Sequence, residues 1–319
     1  MKIVIIGPGI MPIPPQGWGA VESLIWDYCT ELRNKDHDIK IINTQDPISI
    51  INETNSFKPD FVHLQYDDYS HLLQHIDCKF KAATSHYGYI EQYFSHPEYN
   101  HILNNFIKED FFIFCLSTGI KETYKNLGVD EKRLFVTPNG ARSDLFSYNN
   151  EAWNKDKSIY LAKIDYRKRQ YLFQNIENLY FAGNCVDPRF NIKSPNYLGE
   201  WTKDYLYRNL TNYSNLVLLS DGEADPLVTK EALMAGLGLV ISECASANLD
   251  RSLPFITIIP NSKLNDISYI EEAIISNRHS SNLNREKIRE YALKNHSWDI
   301  VVDKYINIIY NIINDSNKA

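Results

Sequence analysis

The 319-residue sequence has no Cys-x-x-Cys pair, no excess of basic residues, and no apolar run approaching the ~20 residues that a membrane-spanning helix needs. Its five cysteines, Cys29, Cys78, Cys115, Cys185 and Cys244, are scattered, and Cys29 and Cys115 sit in apolar stretches. They read as reduced, small core residues of a cytosolic protein. Lys and Arg total 33 against 40 Asp and Glu, a net charge of −7, with no long basic run. A phosphate-backbone surface needs a concentrated basic face, so nucleic acid is not expected as a partner, although a local anion site is compatible with this balance. The apolar start, residues 1–7, is too short for a signal peptide, and the expected location is cytoplasmic. There is no internal repeat and no low-complexity tract.

What is present suits two domains of ordinary size: 44% hydrophobic and 23% charged residues, enough to build a core in each half. Residues 2–7, 38–43, 61–65, 79–85, 111–117 and 133–138 are rich in Ile, Val and Phe and almost continuously apolar, as strands buried on both faces are. Helical stretches separate them, residues 20–33 being the clearest. A polar, turn-rich segment at 143–157 leads into a second series, with strands expected at 158–164, 179–183, 216–220, 237–243 and 255–260. Helices are expected at 170–176, 203–211, 226–235 and 268–276. Two more helical stretches follow Asn284, the last over 298–314 with Ile300, Val301, Tyr305, Ile308, Ile309 and Ile312 on one stripe. The alternation predicts α/β architecture: two Rossmann-like, doubly wound parallel-sheet domains facing across a cleft, with a ligand at the carboxyl ends of the strands. The expected domains are 1–149 and 150–297, with the helix 298–319 packing back on the first.

Two loops carry candidate chemistry. The first runs from Gly7 through Pro8, Gly9, Pro12, Pro14 and Pro15 to Gly17 and Gly19, where a helix begins. Pro12 stands where a dinucleotide fingerprint has its third glycine, and the second strand ends in Asn43-Thr44-Gln45 rather than a ribose-binding carboxylate, so a nicotinamide enzyme is not expected. Backbone amides at the helix start offer an anion site, and flexible turn glycines are the plainer reading. The second loop is Ser220-Asp221-Gly222-Glu223-Ala224-Asp225-Pro226-Leu227-Val228, followed by Glu231 and closed by Gly236. Asp225 and Pro226 read as N-cap and first helical residue, with Gly236 as the stop. Glu223 before the helix and Glu231 inside it bracket free amides at a positive helix end. Carboxylates can accept hydrogen bonds from sugar and ribose hydroxyls while amides face a diphosphate. For an isolated pair, a loop acid and a solvated helix residue would be the alternative.

Taken together, these segments resemble the retaining glycosyltransferases of family 4, which have the GT-B fold. Glu223 and Glu231 match the E-x7-E signature, and Trp18-Gly19-Ala20-Val21-Glu22 resembles the aromatic-Gly-Gly-x-Glu helix start. Lys35-Asp36-His37-Asp38-Ile39 resembles the G-H-x-V helix exit, Phe61-Val62-His63 the third strand, and Ser85-His86 the strand end where the family has a histidine. Cys115-Leu116-Ser117, Val136-Thr137-Pro138-Asn139-Gly140 and Phe146 fit the close of the first domain. Lys163 and Lys168 resemble the R-x4-K diphosphate clamp, Leu198-Gly199 the loop near the base, and His296-Ser297-Trp298 with Tyr310 the closing helix. Departures are local: Lys163 exchanges a bidentate fork for a point charge, Ala20 and Ala162 replace glycines, and Ala224-Asp225-Pro226 replaces a G-F-G loop.

The resemblance implies a donor site of Gly17, Gly19, Asn139, Gly140, Lys163, Lys168, Gly199, Glu223, Asp225, Pro226, Leu227, Val228 and Glu231. Glu231 would hold ribose hydroxyls and Glu223 donor-sugar hydroxyls. His86, Glu223, Lys163 and Lys168 would be catalytic as transition-state contacts, with no protein nucleophile. Expulsion of a nucleoside diphosphate needs positive charge at the β-phosphate, which the lysines and helix amides supply. No Asp-x-Asp motif stands at a strand end, Asp67-Asp68 lacking that spacing, so no metal and no cofactor are expected. The expected partners are a nucleotide sugar and a carbohydrate-type acceptor on a glycan, lipid or protein. A silent sugar-nucleotide-binding relative and a GT-B sugar-nucleotide epimerase are the alternatives. His71 and His75 lack a third metal ligand, and His37 reads as part of a helix exit. The tyrosine-rich segment 87–99 suits either acceptor stacking or packing, and Lys79 with Lys81 supports at most peripheral membrane contact. Oligomeric state leaves no mark on the sequence.

Overall fold

The computed structural model describes residues 1–17 and 19–316, so Trp18 and the last three residues of the expected 298–319 helix lie outside the described residues. The chain divides into two compact units. One comprises Met1–Pro15, Gly19–Asn139 and the helix from Trp298, and the other comprises residues 16–17 and Gly140–Ser297. The division thus falls at Asn139, and residues 140–149 belong to the second unit.

In the first unit, strands β1 (Lys2–Ile6), β2 (Asp38–Ile42), β3 (Phe61–Leu64), β4 (Lys81–Ala83), β5 (Phe112–Cys115) and β6 (Leu134–Val136) form one parallel sheet in the order β2-β1-β3-β4-β5-β6. Each is shorter than its apolar run, because the flanking residues turn out of the ladder. Ile3–Ile6, Phe61–Leu64 and Phe114 are buried, as both-face coverage by helices requires. The helices are α1 (Ala20–Asn34), α2 (Pro47–Phe57), α3 (Asn100–Lys108) and α4 (Thr118–Asn126).

In the second unit, β7 (Asn154–Leu161), β8 (Leu179–Ala182), β9 (Tyr213–Leu218), β10 (Gly238–Ser242) and β11 (Ile256–Ile259) form a parallel sheet ordered β11-β10-β9-β7-β8. Its helices are α5 (Gln170–Phe173), α6 (Lys203–Asn209), α7 (Leu227–Met234) and α8 (Ile267–His296). The helix expected over 268–276 and the first helical stretch expected after Asn284 are therefore one helix, with a break at Asn284 (φ −121°, ψ 15°). Between the two expected stretches, Asn277, Arg278 and Ser281 are polar and buried. The segment is helical because those polar groups are buried against the sheet with partners. Asn277 donates to the Leu239 and Phe255 carbonyls at 3.1 Å, Arg278 donates to Ser158 Oγ at 2.7 Å, and Ser281 Oγ accepts from the Gly238 amide at 2.7 Å. Hydrogen-bonded burial replaces the apolar stripe that sequence periodicity looks for.

The last helix, α9 (Trp298–Ser316), belongs to the first unit and packs on α1. Val301, Tyr305, Ile309 and Ile312 of the apolar stripe are buried, as are Val302 and Ile306 beside it. Tyr28 of α1 meets Trp298 and Tyr305 with ring centroids 4.7 and 5.0 Å away, and Trp298 Nε1 donates to Asp27 Oδ2 at 3.1 Å. Lys35 closes the helix pair with Asp299 and Asp303 at 2.7 and 2.8 Å. No helix among the described residues is long and apolar enough to cross a membrane. Truncating the buried Trp298 to Ala should cost about 3–5 kcal/mol, from lost transfer energy plus the cavity left behind. Urea unfolding followed by tyrosine and tryptophan fluorescence measures this, and an unchanged midpoint would show that α9 contributes nothing to the first unit.

Candidate functional site

In a doubly wound sheet, ligands bind beyond the carboxyl ends of the strands where successive crossovers run in opposite directions. In the second unit β7 is followed by β8 on one side, and β9 lies on the other, so that point falls between the adjacent strands β7 and β9. The loop after β7 carries Lys163, Arg167 and Lys168, and the loop after β9 carries Glu223, Asp225 and the start of α7. Residues predicted from two distant sequence segments thus share one end of one sheet.

The two loops are tied together. The Asp221 amide donates to the Arg167 carbonyl at 3.1 Å, and the buried Tyr160 hydroxyl donates to the Lys168 carbonyl and accepts from the Leu219 amide at 2.9 Å. Asp165 Oδ1 accepts from the Lys168 amide at 3.0 Å, fixing the turn. Across this junction Lys168 and Glu223 form an ion pair, with side chains 11% and 8% exposed. Burial pushes the Glu223 carboxyl upward, but the charges of Lys168 and Arg167 and the hydrogen bond from Lys168 together hold it below the ordinary value. It is therefore an anion at neutral pH, able to accept hydrogen bonds from hydroxyls. Lys163 is exposed at the same loop's start.

Helix α7 is bounded as expected by Gly236 (φ +84°), where a Cβ would approach Tyr148 to 2.9 Å. Its start differs from the sequence reading. Pro226 is the N-cap and makes no side-chain cap bond, and the Asp225 carboxylate is paired with Lys230 Nζ, both side chains fully buried. A buried ammonium one turn into the helix needs the carboxylate as its partner, because an ion left alone there would be far costlier than an uncapped amide. Leu227 and Val228 are half-buried at the start of the helix, where their own amides have no intrahelical acceptor. Glu231, a turn on, faces Lys203 of α6 at 3.7 Å. Gly199 (φ +74°) adopts the left-handed conformation beside the half-exposed Leu198, its carbonyl accepting from the Gly183 amide at 2.9 Å. Gly140 is buried in the same unit, next to Ala141, whose amide donates to the His296 carbonyl at 2.8 Å. Gly17 is also grouped with this unit.

The first unit holds His86, Gly19 and Asn139. Gly19 caps α1 with φ +127°, its carbonyl accepting from the Ser23 amide at 2.9 Å, and Asn139 is buried at the unit's end. His86 follows β4, and its Nε2 lies 2.8 Å from Oε1 of the buried Gln65, which follows β3. Burial holds the His86 imidazole down to about 4, so it is neutral at physiological pH. Asp67, two residues beyond Gln65, is pushed up to about 7 by burial, against hydrogen bonds from Ser85 and from the His86 amide. The aromatic rings of residues 87–99 stack largely on one another, Tyr87 on Tyr99 at 4.0 Å and Tyr89 on His96 at 3.8 Å. No cluster of three or more potential metal ligands occurs among the described residues.

Sequence reasoning missed Arg167, Tyr160, Lys203 and Lys230 in the second unit, and Gln65, His63 and Asp67 in the first. The position of Lys230, within a turn and a half of Asp225, was the one readable signal.

Comparison with known proteins agrees on the fold. The chain resembles sucrose-phosphate synthase from Thermosynechococcus elongatus, with a TM-score of 0.79 at 13% identity, covering 98% of this chain and 99% of that one. It also resembles HepE from Anabaena, solved in complex with UDP-glucose, with a TM-score of 0.73 at 11% identity, covering 98% and 100%. AviGT4, a glycosyltransferase involved in avilamycin A biosynthesis, gives 0.68 at 12%, covering 98% of each chain. The fold is GT-B, shared with these glycosyltransferases. No protein-family model and no curated protein matches the sequence.

The Lys168–Glu223 pair yields a test with a defined sign. In the native protein the carboxyl is lowered, so its stabilising contribution is present above the ordinary value of ~4.3 and is lost as pH falls through the lowered one. Lys168→Met leaves Glu223 buried without its nearest cation and should cost about 3–5 kcal/mol at pH 7. With burial then dominant, the carboxyl moves above its ordinary value, and the variant loses stability as pH rises from about 4 to 7. Urea unfolding from pH ~3 to ~7 should show the stability gap between native protein and variant widening as pH rises, the native Glu223 contributing slope only below about pH 5 and the variant's above about pH 4; parallel curves would mean the pair does not govern Glu223.

Proposed function

We propose that this protein is a retaining, metal-independent glycosyltransferase that moves a sugar from a nucleoside-diphosphate sugar to a glycan, lipid or protein-linked acceptor. The observation that carries this reading is the convergence of Lys163, Arg167, Lys168, Glu223 and the start of α7 at the topological switch point of the second unit. HepE, of the same fold, has been solved with UDP-glucose, which supports a nucleotide sugar as the donor class.

In this reading the second unit binds the donor. Glu231 accepts hydrogen bonds from the ribose hydroxyls, with Gly199 near the base, and Glu223 accepts from hydroxyls of the transferred sugar. The diphosphate takes the α7 amides at Leu227 and Val228 together with Lys163 and Lys168, while Asp225 holds the loop through Lys230. As the bond from the anomeric carbon to the β-phosphate oxygen stretches, negative charge grows on that oxygen. The two lysines stabilise the charge more in the transition state than in the bound donor, which is the differential binding that accelerates a reaction. The acceptor hydroxyl attacks from the face the phosphate leaves, and its proton passes to the departing phosphate oxygen. The configuration is thereby retained without a protein nucleophile. Lys163 stands where an arginine fork would bind two oxygens, so it contributes charge rather than bidentate geometry. In this reading His86 is a neutral contact to the sugar, and Gly17, Gly19, Asn139 and Gly140 supply backbone close to the donor. The acidic chain works in the cytoplasm, with at most peripheral contact to a membrane.

Thermal shift against UDP, GDP and ADP should single out one nucleotide, by about 2.7 kcal/mol at a hundredfold excess over its Kd; indifference to all three would overturn the donor assignment. With the corresponding sugar nucleotide, release of free nucleotide diphosphate should persist within twofold in EDTA and fall at least a hundredfold in Glu231→Ala. Full activity in that variant would move the ribose site elsewhere, and loss in EDTA would overturn metal independence. A silent binder would show the thermal shift and no release.

A further inference from the structure

The side chains behind His86 form a directed hydrogen-bond chain. His86 Nε2 faces Gln65 Oε1 at 2.8 Å, and an amide oxygen can only accept, so His86 carries its proton on Nε2. Gln65 Nε2 is then turned toward His63 Nδ1 at 3.3 Å, and the Tyr305 hydroxyl lies 3.1 Å from the same nitrogen. Two donors on Nδ1 place the His63 proton on Nε2, where Thr84 Oγ1 accepts it at 2.8 Å. Every link is polar-matched, and Gln65, His63, Thr84 and Tyr305 are all at most 1% exposed, whereas His86 keeps part of its surface accessible. The links come from the carboxyl ends of β3 and β4 and from the middle of α9, all within the first unit.

We propose that Gln65 and His63 are positioning residues that lock His86 in the tautomer protonated on Nε2, so that it meets its ligand as a neutral hydrogen-bond acceptor through Nδ1. The inference rests on the transferase reading for its ligand, a sugar hydroxyl, but not for the tautomer. A fixed lone pair selects a hydroxyl that donates and repels an oxyanion. A free imidazole would divide its population between tautomers and pay to reorganise when the sugar arrives. The lock also explains why a buried glutamine stands directly after β3. Its amide supplies an acceptor at one end and a donor at the other, which neither a carboxylate nor an apolar side chain can do.

The titratable groups facing His86 are His63, held down to about 3 by burial and then by the nearby His86, and Asp67, whose carboxylate accepts from the His86 amide. Because Asp67 is raised to about 7, a pH effect near neutrality must be separated from His86 by the Asp67→Asn variant. The test is nitrogen-15 NMR of histidine-labelled full-length protein, with His86 assigned through His86→Gln. The wild type should show His86 protonated on Nε2 and not titrating between pH 5 and 8. In Gln65→Met, of nearly equal volume, both tautomers should appear, and kcat should fall about tenfold with donor KM changed less than twofold. Gln65→Glu keeps an acceptor for Nε2–H, so its neutral form should retain that tautomer; because a carboxylate favours the imidazolium, His86 should now titrate within pH 5 to 8, and most of kcat should return only above that titration. If Gln65→Met fails to fold, Tyr305→Phe removes one of the two donors to His63 and should shift the same signals in the same direction. A His86 that stays Nε2-protonated in every variant overturns the proposal, as does a relaxed tautomer with unchanged kcat. A chain that transfers no sugar, yet shows the tautomer locked in the wild type and released in Gln65→Met, upholds the lock and overturns the transferase reading.

Discussion

The second unit depends on one buried ion pair, Lys168 with Glu223, set across the ends of neighbouring parallel strands. Two loops that leave a parallel sheet side by side have no ladder to hold them together, and each carries charge that would otherwise splay it into water. The pair reverses this tendency. It draws the loop after β7 to the loop after β9, and Tyr160, buried beneath, hydrogen-bonds to both through Lys168 and Leu219. Burying a carboxylate is expensive, and here the cost is offset by two cations and a charge-assisted hydrogen bond, which is the condition under which such a group remains ionised. An anion positioned in this way, with ammonium groups alongside it, presents hydroxyl acceptors and phosphate partners in one small region.

A second buried pair, Asp225 with Lys230, shows the same economy at the start of α7. The loop that approaches the helix must be short and stiff, and Pro226 supplies the stiffness while the ion pair anchors the residue before it. The N-cap, Pro226, makes no side-chain bond to the first amides of the helix. A capped helix start is a quiet one. An N-cap without a side-chain bond leaves the helix start its partial positive charge, which on the proposed transferase reading is available to a phosphate.

Much of this was readable before any coordinates. Runs such as Lys2-Ile3-Val4-Ile5-Ile6 and Leu239-Val240-Ile241 are apolar without alternation, which leaves few options besides a strand covered on both faces, and all eleven expected strands occur, each trimmed or shifted at its ends. The spacing of Glu223 and Glu231 led to the loop and helix that the sheet topology independently singles out. What escaped reading was long-range and polar. Helix α8 runs on between the two stretches expected to be helical because Asn277, Arg278 and Ser281 find partners in the sheet. Asp225 looked like a cap because capping is a local rule, whereas its pairing with Lys230 is decided by burial that no local pattern reveals. The chain from His86 to Tyr305 joins residues far apart in sequence, and each of them has a plainer local role as strand, strand end or helix stripe.

On the proposed transferase reading, the neutral His86 and the cationic loop after β7 have different electrostatic tasks. The chain as a whole is negative, while the loop after β7 sets Lys163, Arg167 and Lys168 close together in sequence, where on that reading a diphosphate's charge would grow. Charge suits that task because the interaction strengthens as the leaving group separates. A cationic histidine would add attraction for any anion, bound donor and free product alike, and would slow release as much as it aided departure. A neutral imidazole with one fixed lone pair contributes orientation instead. It responds to the position of a single hydroxyl and adds nothing to the affinity for phosphate. In the first unit, therefore, burial has a chemical use beyond packing: it removes the charge from His86, and the network behind the ring decides which nitrogen remains to accept.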